Sequence, residues 1–179
     1  MKTLVTLLIF IMIAYLTSLG QGHRECQTAK ILRPMVQIDT ASIAIIPFNT
    51  TQSWIFENSQ PINLTNRDIE TIEIILRKCI NNYNPTQEQE FQSIHNNHPE
   101  YNIDKTNFII DLQRYKRQYI AAINAKREKE VWINCFCKEG DLNWKTNLII
   151  VKDGGDCYFN LKINLTTGKY YELVVNGDS

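Results

Sequence analysis

Cys135 and Cys137 form a C-x-C pair, the residues of this chain with the most direct chemical use. Two close thiols exchange with substrate disulfides when one is exposed and its pKa is lowered. As thiolates they would suit zinc or copper. The same spacing places both on one strand face with Val131 and Ile133. Cysteine in that setting is usually a small apolar filler or half of a structural disulfide. No helix N-terminus adjoins the pair to depress a thiol pKa. A thiol-based redox or metal-dependent enzyme centred on Cys135 and Cys137 is therefore the second reading of this chain.

Other candidate chemistry is thinner. His95-Asn96-Asn97-His98 has H-x-x-H spacing, with Glu100 and Asp104 nearby. A helix would bring the two rings to one face. Asn96, Asn97 and Pro99 speak against a helix there, and exposed loop histidines are the simpler reading. G-x-S-x-G, the phosphate loop and the dinucleotide fingerprint are all missing from the sequence. Asp153-Gly154-Gly155-Asp156 lacks the rest of a calcium loop and reads as a tight turn. No cofactor and no metal site is expected.

The first 20 residues carry a different message. Lys2 supplies a positive start, and Leu4 to Leu16 is apolar except for Thr6. Ser18 and Gly20 stand where a signal peptidase needs small residues, so cleavage near Gly20 would leave Gln21 first. The run is shorter than the roughly 20 residues of a membrane span. Cys26 follows Arg24-Glu25, which does not fit a lipid-modification box. The expectation is export, periplasmic or secreted, with membrane contact only through the transient signal peptide.

The remaining chain, 21–179, has the size of one domain, with 61–179 as its core and 21–60 less regular. Removing Lys2 with the leader leaves 18 basic against 19 acidic residues. Nothing in that balance suggests a nucleic-acid partner, where a basic excess would be expected. The run Arg114-Tyr115-Lys116-Arg117 reads as a solvated strand face.

Periodicity supplies the elements. Ile69, Ile72, Leu76, Cys79 and Tyr83 are spaced 3, 4, 3 and 4, one face of a helix. Thr65 and Asp68 form its capping box. Asn84-Pro85 should stop it near residue 82, because proline cannot continue the bonding. A second short helix would begin at Thr86. Before these helices, Ile43–Ile46 and Ser53–Phe56 read as short strands. After them the period becomes two. Strands are expected at 115–123, 129–138, 148–151, 157–165 and 170–175, with Val131, Ile133, Cys135, Phe159, Leu161 and Ile163 facing inward.

Short turns make the strands antiparallel. The fold class is α+β: one main amphipathic helix on a curved antiparallel sheet of about five strands. That layout resembles the cystatin-like or NTF2-like class. A cystatin-type inhibitor would carry Q-x-V-x-G in a turn. Gln118-Tyr119-Ile120-Ala121-Ala122 is the nearest match, but it sits mid-strand and lacks the glycine. Trp132-Ile133-Asn134-Cys135-Phe136-Cys137 and the stretch from Gly154 to Leu165 also resemble segments of small exported proteins of Bacteroidota-type bacteria. That resemblance implies an extracytoplasmic setting and no particular activity.

A simple meander limits disulfides. The 148–151 strand would separate Cys137 from Cys157 by about 10 Å, two strand spacings. A disulfide needs Cα atoms within roughly 7 Å. Neither Cys135 nor Cys137 should then pair with Cys157, and Cys79 on the helix is the better partner. Asn49, Asn63 and Asn164 lie in N-x-S/T sequons, with Asn164 expected to point outward.

Trp132, Phe136, Tyr158 and Tyr170 fall opposite the inward row. Aromatics among polar neighbours are typical of interfaces. The competing reading is a second small core under residues 21–60, with Trp54 and Phe56 packed there; exposed aromatic patches are uncommon in monomers. The leading functional reading is a non-enzymatic exported domain that binds a protein or small ligand.

Overall fold

The structure, a computed structural model, describes residues 38–138 and 143–177. The signal segment, residues 21–37 with Cys26, and the loop start at 139–142 lie outside the described residues. Helix α1 spans Asn66–Asn97. The strands are β1 (Ile43–Ile45), β2 (Gln60–Pro61), β3 (Lys116–Ile123), β4 (Lys129–Phe136), β5 (Tyr158–Asn164) and β6 (Lys169–Val175). The order is β1-β3-β4-β5-β6, with β2 beside β3. β3 to β6 form an antiparallel meander, whereas β1 runs parallel to β3, so the sheet is mixed. The fold is α+β, one long helix against a sheet of five to six strands.

The capping box forms as the sequence implies. Asp68 N donates to Thr65 Oγ1 at 3.2 Å and Thr65 N donates to Asp68 Oδ2 at 2.8 Å. Ile72, Leu76 and Cys79 are sealed against Tyr119, Ile133 and Leu161 of the sheet. Truncating a residue such as Leu76 to alanine would cost about 2–5 kcal/mol, because the cavity cannot collapse fully.

The helix does not stop at Pro85. It continues to Asn97 with Pro85 inside it, in place of the two helices expected. Proline leaves only the Asn81 carbonyl without its helical partner, and Asn81 is exposed, so water can satisfy it. Tertiary contacts hold the second half. Asn84 Nδ2 donates to Ile110 O at 2.9 Å and Ile110 N donates to Asn84 Oδ1 at 3.0 Å. Lys105 Nζ meets Glu88 Oε2 at 2.6 Å, and Phe91 packs edge-on against Phe108. The returning residues 103–110 thus clamp the half-helix that the local sequence disfavours.

Ser53–Phe56 is also not a strand. A 3-10 turn at Thr50–Gln52, capped by Asn49, delivers Ile55 and Phe56 into a second core on the far side of the sheet. That core contains Ala44, Ile46, Phe48, Ile120 and Trp132. Both faces of β3 and β4 are consequently buried.

Leu148–Val151 has strand composition but joins no strand. It lies over the far face, held by two amide side chains. Ile149 N donates to Gln118 Oε1 at 2.9 Å, and Asn134 Nδ2 donates to Ile149 O at 2.7 Å. Gln118 Nε2 also donates to the Trp144 and Asn147 carbonyls. Two buried amides supply the partners that a neighbouring strand would have supplied. With that segment off the sheet, β4 and β5 pair directly.

On the outer strand, β6, a register shift falls between Asn160 and Lys162, and Glu172 takes φ 52°. This bulge resets the phase. Tyr170 faces inward beside Ile163, Tyr171 faces outward beside Lys162, and Leu173 and Val175 return inward. Such a bulge also blunts an open strand edge.

Candidate functional site

The sulfur chemistry resolves first. Cys137 and Cys157 form a disulfide with Cα atoms 5.0 Å apart, against the expectation that they stay unpaired. The direct β4–β5 ladder places them opposite each other one step beyond Phe136 and Tyr158, with Cys137 N donating to Cys157 O at 3.0 Å. Cys79 and Cys135 are both free and both buried. Burial pushes the Cys79 thiol up to about 11 and the Cys135 thiol higher still. A reactive thiol needs the opposite shift. The C-x-C pair therefore divides into a bonded half-cystine and an inert core thiol.

The histidines are not in a loop as expected, because the helix runs through Asn96 and Asn97. His95 lies within α1, stacked on Phe91, and His98 caps the helix end, 3.3 Å from Glu100 and stacked on Tyr101. Among the described residues no group of three or more metal-ligating side chains forms. Asn164 is buried, contrary to its expected outward exposure: its amide donates to Glu128 and accepts from Thr167 N. Gln118 of the partial inhibitor motif is fully buried mid-strand.

The aromatic face is largely roofed. Trp132 and Phe136 are buried in contact with Trp54 and Trp144 respectively. Tyr158 is half-buried, and Tyr170 lies on the helix side, where Asn82 Nδ2 donates to its hydroxyl at 3.0 Å. These four residues do not form one exposed surface. Trp54 stays 59% exposed on top of Trp132.

A different place in the fold has the shape of a site. A cleft of about 760 Å³ opens between the middle of α1, the turn at 38–42 and the segment 110–113 that leads into β3. Its size falls within the usual range of small-ligand sites, about 300–1,000 Å³. Arg117 and Glu73 line it, at 7% and 2% exposure. Arg117 is thus not on a solvated face: the strand alternation carries it inward beside Tyr119. Glu73 Oε1 accepts from the buried Tyr119 hydroxyl and stands 3.5 Å from Arg117 Nε. Burial first, then the Glu73 charge, hold the Tyr119 hydroxyl well above its ordinary range.

Arg117 Nη2 donates to Leu112 O at 3.1 Å. Its Nε is close enough to Glu73 for an ion pair but not aligned for a hydrogen bond, so that N–H is buried without an acceptor. Buried donors are rarely left so, and each one calls for an explanation. Asp39, Arg77 and Asp111 add charge around the opening. The sequence does carry a signal for this site: a glutamate beside the apolar stripe and an arginine at an inward strand position.

Comparison with protein-family models, curated proteins and solved structures gives no match. Among the described residues no helix is long and apolar enough to cross a membrane.

Proposed function

We propose that this chain is an exported, non-enzymatic binding domain, and that its binding site is the cleft beside Arg117. The observation that carries the reading is the cleft itself, of small-ligand size and lined by polar and charged side chains from α1 and from residues 38–42 and 110–117. The thiol enzyme loses its support, because Cys135 is sealed and Cys137 is bonded. Export is supported by the leader-like residues 1–20 and the resemblance to exported bacterial proteins. The disulfide fits an oxidising compartment.

Native mass spectrometry of the protein recovered from its exporting host tests this reading. The expected species begins at Gln21, carries one disulfide and holds a non-covalent small-molecule adduct. A chain retaining residues 1–20 contradicts export, and a chain without any adduct contradicts binding.

A further inference from the structure

We infer that the Cys137–Cys157 disulfide is a redox latch. Closed, it seats residues 143–152 as a strap on the far face of the sheet; reduced, it lets that strap lift while the domain stays folded. Hydrophobic burial does not hold the strap. None of residues 143–152 is buried, and Ile150 and Val151 turn outward at 54% and 39% exposure. Its fastenings are mostly polar. Gln118 Nε2 donates to the Trp144 and Asn147 carbonyls, Ile149 N donates to Gln118 Oε1, and Asn134 Nδ2 donates to Ile149 O. Asn176 Nδ2 donates to Val151 O, and the Trp144 ring meets Phe136 edge-on. Ordering one residue costs at least what one such bond returns, and the strap has more residues than bonds. Ring closure supplies the difference, because it removes most of the freedom an open strap would gain.

The rest of the fold does not depend on the strap. The β3–β4 and β4–β5 ladders and the core under α1 are built without it. Opening bares Gln118, Asn134 and Phe136, now at 0%, 9% and 2% exposure, and water replaces the strap backbone as partner of the two amides. A unit with few buried contacts can open in this way by itself. The reaction needs a dithiol reductant. Cys157 is almost sealed and Cys137 is half-buried, so a reductant thiolate attacks Cys137 Sγ. The Sγ–Sγ bond breaks, and Cys157 leaves as a thiolate and takes up a proton. The second thiol of the reductant then displaces Cys137 from the mixed disulfide. Two electrons pass to the protein sulfurs, and the reductant becomes a disulfide. For an exported chain the order is reversed: it leaves a reducing compartment as a dithiol, and oxidation closes the latch.

The test is hydrogen exchange on the full mature chain, oxidised, reduced with dithiothreitol, and reoxidised, beside the double variant Cys137→Ser with Cys157→Ser. Reduction should speed exchange at the Ile149 amide about a hundredfold, the closure effect of a ring this size. The double variant should match the reduced protein. In the same samples the α1 amides near Leu76 should stay protected, and reoxidation should restore the strap. Unchanged protection at Ile149 after reduction shows that the polar bonds suffice and overturns the latch. Loss of protection at Ile149 and Leu76 together, or a double variant that does not fold, also overturns it, because the bond then holds the whole domain. A disulfide that dithiothreitol reaches only in denaturant overturns it as well.

Discussion

The Arg117 guanidinium stands 3.5 Å from the Glu73 carboxylate, and both groups are almost sealed from water. They come from β3 and α1, so the pair ties the sheet to the helix at the wall of the cleft. Removing both charges from water is costly, and their attraction offsets that cost only while both remain. Glu73→Gln keeps an acceptor for Tyr119 but strands the arginine. It should lower stability in urea by about 3–5 kcal/mol. The double variant Glu73→Gln with Arg117→Met should recover part of the loss. A single variant as stable as wild type would show the pair to be water-screened.

The Cys137–Cys157 bond closes the segment that carries Trp144 and Ile149 over the far face. A loop of this length constrains the unfolded chain by about 3 kcal/mol. Cys137→Ala, or reduction, should lower stability by about that amount. Ellman's reagent should leave Cys79 and Cys135 untouched in the native protein and reach them only in denaturant. Rapid native modification of Cys135 would restore the thiol reading.

Cys79 has an ordinary thiol pKa of 9.0 and a folded one of about 11. Above 9 the unfolded chain releases a proton that the folded chain retains. Stability is therefore full below pH 9 and falls as pH rises toward 11. Tyr119 and Cys135 are shifted in the same direction and steepen the loss. Melting curves from pH 8 to 11 should show it, and Cys79→Ala should flatten the slope. A melting temperature constant over that range would mean the thiol is not sealed.

Gln118 and Asn134 do the work of a strand for Ile149. Gln118→Leu removes the acceptor of the half-buried Ile149 amide, costing about 1 kcal/mol. Hydrogen exchange at the Ile149 amide should accelerate while the α1 amides near Leu76 keep most of their protection. Unchanged exchange at Ile149 would show that packing alone holds the segment.

The elements legible from residue order are those built by local periodicity. The stripe from Ile69 to Cys79 and the alternation from Val131 to Cys135 each bury one face, so spacing alone reveals them. The second core is legible from composition through Phe56, as cover for Trp132, whereas Trp54, expected inside it, stays exposed and Ile55 takes its place. What stays hidden depends on distant partners. Pro85 reads as a stop until residues 103–110 clamp the far half-helix. Leu148–Val151 reads as a strand until two amides hold it off the sheet, and the disulfide depends on that displacement. The cleft is hidden for the same reason: Glu73, Asp111 and Arg117 meet only once helix and sheet have packed.

The central claim, that the cleft between α1 and residues 110–113 is a binding site, is tested most directly by native mass spectrometry of wild type beside Arg77→Ala, both recovered from the exporting host. Wild type should carry a non-covalent adduct that collisional activation releases, and the variant should carry less of it. Equal adduct on both proteins, or none on wild type, would contradict the account.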